Sequence, residues 1–280
     1  MSLRIDGHQH FWTLQRDDYD WLTPELEPLY RDFQPSDLAP ILEASQIDRT
    51  VLVQAAPTVN ETRYLLDLAD QYDFIAGVVG WVDMEDGAAA VTILRELGRH
   101  PKFVGIRPML QDIDDPAWIA AADTAQATEA LIDEDLRFDA LVKPVHLPHL
   151  LEFLRRFPEL ETVIDHGAKP GIAKNDWQPW ADQMAQIAKQ TTAFCKLSGL
   201  ITESAPDQTY DDLAPYVDHL LETFGPQRLI WGSDWPVLEI AGTYSEWLFA
   251  AEGFIGSLSV DERAQIMGGN AARFYGLAGD

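Results

Sequence analysis

Leu3-Arg4-Ile5-Asp6-Gly7-His8-Gln9-His10 opens the chain, and Leu229-Ile230-Trp231-Gly232-Ser233-Asp234-Trp235-Pro236 stands near its end. Each is a short apolar run with polar, chemistry-bearing residues at its downstream end. Six similar runs lie between them, so strands are expected near 3–8, 50–54, 75–82, 103–109, 140–144, 162–166, 193–198 and 229–233. These runs lack strict apolar/polar alternation, as strands buried on both faces of a parallel sheet do. Helix-like stretches separate them at 61–71, 88–97, 123–135, 148–157, 177–189, 211–224 and 244–257. Strand alternating with helix selects an α/β fold with right-handed crossovers. Eight such units predict a single (β/α)8 TIM barrel, in which the first and last strands are neighbours and functional groups gather at the C-terminal strand ends. That closure would bring His8, His10 and Asp234 to one mouth.

The length of 280 residues is near the roughly 250 typical of one such barrel, which predicts a single domain over residues 1–280. With 46% hydrophobic residues there is ample apolar surface for one large core. A formal charge of -26 repels phosphate backbones and anionic bilayers, which argues against nucleic acid or membrane as partner and leaves a small molecule. A homo-oligomer is compatible with this composition. The lone cysteine, Cys195, lies in an apolar run and reads as packing; it allows no internal disulfide framework and suits a reducing compartment. No run approaches 18 apolar residues, and the first strand begins too early to leave room for a signal peptide, so a cytoplasmic location is expected. Residues 11–39, rich in Trp, Tyr and Pro, read as a long lid-like loop over the mouth, followed by a short helix around 37–44. Ser259-Val260-Asp261-Glu262 has the form of a capping box, opening a C-terminal helix toward Tyr275 that packs outside the barrel or beneath it, with a break near Gly268-Gly269.

Side chains two apart in a strand share a face, so His8 and His10 can project into one cavity. Asp234 ends the last strand between a glycine that permits a tight turn and a proline that stops pairing. His166 ends the sixth strand and would join the cluster, while Asp165, on the opposite parity, is expected to face outward or support the loop. Arg107, Lys143 and Lys196 also occupy strand ends. Cations rarely sit in apolar runs unless paired or useful, and in a protein this acidic they would locally reverse the field and could hold an oxyanion. Trp12, Trp81 and Trp235 follow three strands and could present aromatic faces to a sugar.

These segments, with Asp6 to Trp12, Val78 to Asp83, Gly105 to Gln111, His166 to Pro170, Lys196 to Glu203 and Arg228 to Pro236, together resemble the amidohydrolase superfamily, specifically its L-fuconolactonase-like branch of sugar-lactone hydrolases. The resemblance implies a carboxylic ester hydrolase that opens a neutral sugar lactone. Asp234 would take a proton from the attacking water, Arg107 and one or more of His8, His10 and His166 would stabilise the oxyanion, and Trp12, Trp81, Lys143, Lys196, Glu203 and Trp235 would bind substrate. Gln9 and Gln54 are further candidates for hydroxyl partners. The superfamily's fuller metal pattern expects a Lys or Glu bridge on strand four and a histidine on strand five; here those places hold Arg107 and Lys143, and a guanidinium is no ordinary metal ligand. Catalysis without a required cofactor is therefore preferred, with one divalent ion such as zinc on His8, His10, His166 and Asp234 as the alternative. A dicarboxylate lactone would call for several arginines, and only Arg107 stands at an obvious strand end. Two rivals are a metal-dependent decarboxylase or other hydrolase of the same superfamily, and a non-catalytic barrel that binds a sugar acid.

Overall fold

The computed structural model describes residues 3–277. Eight strands, β1 (Ile5–Gln9), β2 (Arg49–Val53), β3 (Ile75–Gly80), β4 (Phe103–Ile106), β5 (Arg137–Ala140), β6 (Thr162–Ile164), β7 (Phe194–Leu197) and β8 (Leu229–Trp231), pair in parallel in sequence order. The ring closes just beyond β8, where Gln9 bridges Trp235, His10 N–H donates to Trp235 O at 2.7 Å and Asp234 N–H donates to His8 O at 2.8 Å. Helices α1 (Pro35–Ser45), α2 (Val59–Gln71), α3 (Gly87–Leu97), α4 (Ala125–Asp133), α5 (Leu147–Arg156), α6 (Trp180–Gln190), α7 (Ala214–Phe224) and α8 (Tyr244–Phe254) follow the strands in the expected alternation. The fold is the (β/α)8 barrel that the sequence pattern predicts, and no helix among the described residues is long and apolar enough to cross a membrane.

Strand β5 is displaced from its expected position: it runs through Arg137–Ala140 and ends where the sequence pattern would start it. The apolar residues Leu141 and Val142 drew the pattern downstream, whereas Asp139 lies fully buried inside the barrel, paired with Lys196. A buried ion pair inside a strand carries no hydrophobic signal. Strands β3 and β4 also stop two or three residues early, because Trp81 and Arg107 already belong to the turns at the mouth.

The lower half of the barrel is filled by Ile5, Val51, Val53, Val79, Val104, Val163, Phe194 and Ile230, against which Ala271, Phe274 and Tyr275 pack. The C-terminal segment therefore seals the bottom. Its start is the predicted capping box: Ser259 Oγ accepts from Glu262 N–H at 3.3 Å, and Glu262 Oε2 accepts from Ser259 N–H at 2.9 Å. The break falls at Gly268, whose extended backbone lies so close to β1 that a Cβ would sit 2.2 Å from Leu3 O. After it α10 (Asn270–Phe274) resumes, preceded by the short α9 (Val260–Ala264). On the opposite end, the 11–39 loop is tied to the barrel by the Trp12–Phe33 bridge and by Trp21 Nε1–H donating to Ala55 O at 2.8 Å.

Candidate active site at the barrel mouth

Barrel closure pins the two ends of the cluster. Asp6 is fully buried, and its carboxylate accepts from Ser233 N–H at 2.8 Å, His8 N–H at 3.1 Å and Tyr244 Oη–H at 3.1 Å, clamping β1 to the loop after β8. Asp234 and His166 both adopt left-handed backbone conformations, with φ of 60° and 53°. Non-glycine residues rarely do so, and when they do they cluster at functional sites. Between them Gly199, at φ 58°, passes so closely that a Cβ there would lie 2.5 Å from His166 Nδ1 and 3.1 Å from Asp234 Oδ2. Only glycine fits.

Five of the residues singled out in the sequence meet here. Asp234 Oδ1 lies 3.3 Å from His10 Nε2, 3.6 Å from His8 Nε2 and 3.8 Å from His166 Nε2. His8 Nε2 is 3.1 Å from His10 Nε2 and 3.3 Å from Arg107 Nη1. His10 Nδ1 faces Val53 O at 2.8 Å, so this nitrogen carries a proton and donates it. His166 Nδ1 faces Ser198 Oγ at 2.8 Å. The Arg107 guanidinium is held by Gln54, whose backbone carbonyl accepts from Nη2, and Gln54 Nε2–H donates back to Arg107 O at 2.6 Å.

Beneath this layer lies a second, wholly buried one. Lys196 Nζ is 2.5 Å from Asp139 Oδ2, 3.1 Å from Asp165 Oδ1 and 2.9 Å from His8 Nδ1. Tyr275 Oη–H reaches the same Asp139 oxygen at 2.8 Å. Asp165 corrects the sequence expectation: it points inward, 3.5 Å from His8 Nδ1 and 3.6 Å from Arg107 Nη1, because β6 ends at Ile164 and the chain turns before parity can carry Asp165 outward.

Burial governs the protonation of these groups. It lowers His166 to about 4 against the pull of Asp234 and Asp165, lowers His10, and holds His8 well below the usual imidazole range, an effect the Lys196 charge reinforces. All three imidazoles are thus neutral near pH 7. Burial alone would raise Asp234, but the imidazoles facing it, His166 first, reverse this and keep the carboxyl below its ordinary range. Asp165 is likewise kept low against its burial by Lys196, whereas burial carries Asp139 up to about 6 despite the same lysine.

A cleft of about 150 Å³ opens above the cluster. Its wall includes His10, Arg107, His166 and Asp234, together with Trp21, Gln111, Asp112 and Lys169. His8 is fully buried and lies behind that wall. Of the residues expected to contact substrate, Trp12 and Trp235 are buried in an aromatic cluster with Phe33, and Lys196 sits in the buried layer below. Trp81 lines an adjoining groove that shares Met109 and Asp112 with the cleft. Lys143 is exposed and its Nζ–H donates to Gln111 O at 3.3 Å; Glu203 stands behind Lys169 at 3.4 Å. Gln9 is buried, with its Nε2–H donating to Thr50 Oγ1, and Gln54 braces Arg107 instead of facing the cleft. Trp21, Asp112 and Lys169 escaped the sequence reading. Trp21 had a signal in the aromatic loop; Lys169 follows His166 within a motif already singled out; Asp112 had none.

The donor atoms His8 Nε2, His10 Nε2 and Asp234 Oδ1 form a triangle with edges of 3.1, 3.3 and 3.6 Å. Tetrahedral zinc with bonds near 2.05 Å requires ligand separations of about 3.3 Å, so the spacing fits one divalent ion with an open position. His10 also has the outer partner that metal-bound imidazoles use, a carbonyl on its far nitrogen.

Comparison with known proteins bears on this geometry. The chain is 48% identical over 98% of its length, and 96% of the relative's, to an L-fucono-1,5-lactonase of Burkholderia ambifaria. It is 37% identical to an L-fucono-1,5-lactonase of Burkholderia multivorans, covering 99% of this chain and 97% of that one. A crystal structure of a Burkholderia multivorans amidohydrolase with bound zinc superposes with a TM-score of 0.93 at 36% identity, over 99% of this chain and 100% of the other. The amidohydrolase family profile matches residues 5–277, so this chain belongs to the amidohydrolase family.

Proposed function

We propose that this protein hydrolyses the ester ring of a neutral sugar lactone of the L-fucono-lactone type, and that it does so without requiring a metal ion. The observation that carries the reading is that Asp234, held below the ordinary carboxyl range, and the Arg107 guanidinium line one cleft, in a chain nearly half identical over almost its whole length to an L-fucono-1,5-lactonase. Asp234 takes a proton as water attacks the lactone carbonyl, forming a C–O bond and a tetrahedral oxyanion. Arg107 stabilises that charge; its Nε has no hydrogen-bond partner among the described residues, and it is a fixed cation in a poorly solvated wall. The intermediate collapses by breaking the ring C–O bond, and Asp234 returns its proton to the departing oxygen. A carboxyl held below its ordinary range surrenders that proton readily. The product hydroxy acid then ionises and releases one proton to solvent.

Neutral His10 and His166 orient water and substrate beside Asp234. Trp21 offers an apolar face from the loop, while Gln111, Asp112 and Lys169 offer polar groups to the sugar hydroxyls. A dicarboxylate would meet too few cations here, which supports a neutral ring. His8, His10 and Asp234 would hold a divalent ion if one bound, and it would polarise the carbonyl as a Lewis acid.

A panel of sugar lactones, followed by a pH indicator with and without chelator, tests this reading. Acid release that survives the chelator and falls by about 10²- to 10⁴-fold in Asp234→Asn is expected. A folded Asp234→Asn enzyme with near-normal turnover refutes the base, and activity that chelator abolishes and zinc restores refutes metal independence. No turnover on any lactone overturns the function itself.

A further inference from the structure

We infer that Lys196 is a positioning residue: it fixes the tautomer of His8 and thereby closes His8 Nε2 to a divalent ion. The argument starts from donor counting. A lysine ammonium has three N–H donors and no acceptor. Three acceptor atoms surround Lys196 Nζ within 3.1 Å: Asp139 Oδ2, Asp165 Oδ1 and His8 Nδ1. Asp139 Oδ2 and His8 Nδ1 each take one of its donors, Asp165 Oδ1 is held as an ion pair, and the residue is fully buried, so no water competes. His8 Nδ1 must therefore be the bare, accepting nitrogen, which places the imidazole proton on Nε2.

The partner side agrees. His10 donates through Nδ1 to Val53 O, leaving its Nε2 bare, and that bare nitrogen lies 3.1 Å from His8 Nε2. The His8 Nε2–H accordingly donates toward His10 Nε2 and Asp234 Oδ1. Arg107 Nη1 also faces this nitrogen, at 3.3 Å, a longer approach than the 2.9 Å from Lys196 Nζ to Nδ1, so the shorter lysine contact and the two acceptors, His10 Nε2 and Asp234 Oδ1, set the tautomer. The ligand triangle thus has the right size but the wrong proton: metal binding through His8 Nε2 needs the proton on Nδ1, where Lys196 already donates. Without Lys196, Asp165 Oδ1, 3.5 Å from Nδ1, would accept a proton there and release Nε2. That carboxylate–imidazole pair is the arrangement that supports metal ligands elsewhere.

The inference deepens the metal-independent reading, but its test does not use turnover. Zinc affinity is measured by competition with a fluorescent chelator on metal-stripped wild type, Lys196→Met, and Lys196→Met/Asp139→Asn. The double variant removes a buried cation and a buried anion together and keeps an acceptor for Tyr275, which protects folding. Zinc is expected to bind the substituted proteins about ten- to a hundredfold more tightly, the usual effect of an outer partner on a ligand. Adding His8→Ala should abolish the gain. Equal or weaker zinc affinity in a folded variant overturns the inference, as does a gain that survives His8→Ala. Independently of any variant, nitrogen-15 NMR of labelled histidines in the wild-type protein should find His8 protonated on Nε2; protonation on Nδ1 refutes it. Failure of the lactonase reading would leave both measurements intact.

Discussion

Replacing Gly199 with alanine would separate catalytic geometry from mere folding. The new methyl carbon would start 2.5 Å from His166 Nδ1, 2.7 Å from its Cγ and 3.1 Å from Asp234 Oδ2. Ordinary contact begins near 3.4 Å, so the imidazole must retreat by about 0.9 Å, away from the carboxylate it faces. Misplacement of roughly 1 Å in a catalytic constellation costs about 10²-fold in rate. The left-handed backbone at φ 58° adds about 1 kcal/mol of strain for a residue with a Cβ. For a chain of this size that is about 2–4 °C in Tm, small enough to leave the protein folded. The assay is kcat/KM for lactone hydrolysis beside a thermal melt, with Ser198→Ala as the comparison that removes only the hydroxyl 2.8 Å from His166 Nδ1. A loss of about a hundredfold with a modest Tm shift is expected. Gly199→Ala with wild-type kcat/KM would refute the claim that His166 and Asp234 act through their mutual position.

Three further outcomes follow from the same structure. Arg107→Lys should lower kcat/KM by about 10²- to 10³-fold, because an ammonium cannot occupy the fork held by Gln54 and still face the cleft; unchanged kinetics would remove Arg107 from the oxyanion role. His166 is buried neutral, lowered to about 4, so as pH falls below 6.5 the unfolded chain gains a proton that the folded one refuses. The contribution is complete above pH 6.5 and declines toward pH 4, by about 3 kcal/mol in all; urea unfolding of His166→Gln should show a flatter stability between those limits, and an unchanged slope would contradict the burial argument. Trp21→Ala should raise KM up to about tenfold with little change in kcat, since it removes a binding face remote from the bonds that change; a collapse of kcat alone would assign Trp21 a different part.

Much of this was legible because strand-end positions in a parallel barrel carry their meaning in one dimension. His8, His10, His166, Arg107 and Asp234 each terminate an apolar run, and closure of the ring does the rest. Polar residues inside a strand broke that legibility. Asp139 and Lys196 pair between β5 and β7 inside the barrel, so neither leaves a hydrophobic trace; the apolar pattern therefore starts three residues downstream of the start of β5, and sequence alone puts Lys196 among the substrate contacts instead of beneath the site. Asp165 failed for a related reason, since parity arguments end where the strand ends.

The amino-acid order by itself determined the number of strand–helix units, the fold they close into and the residues their ends present, because those depend on local periodicity and on a single topological rule. Which side chains share the cleft, and which merely sit near it, was decided only in three dimensions. Trp12 and Trp235 pack inward on Phe33 while Trp21 faces the cleft, and the proton on His8 is assigned by a lysine 188 residues away. Side-chain direction and hydrogen-bond partnership depend on neighbours that the fold brings together, and no stretch of sequence contains them.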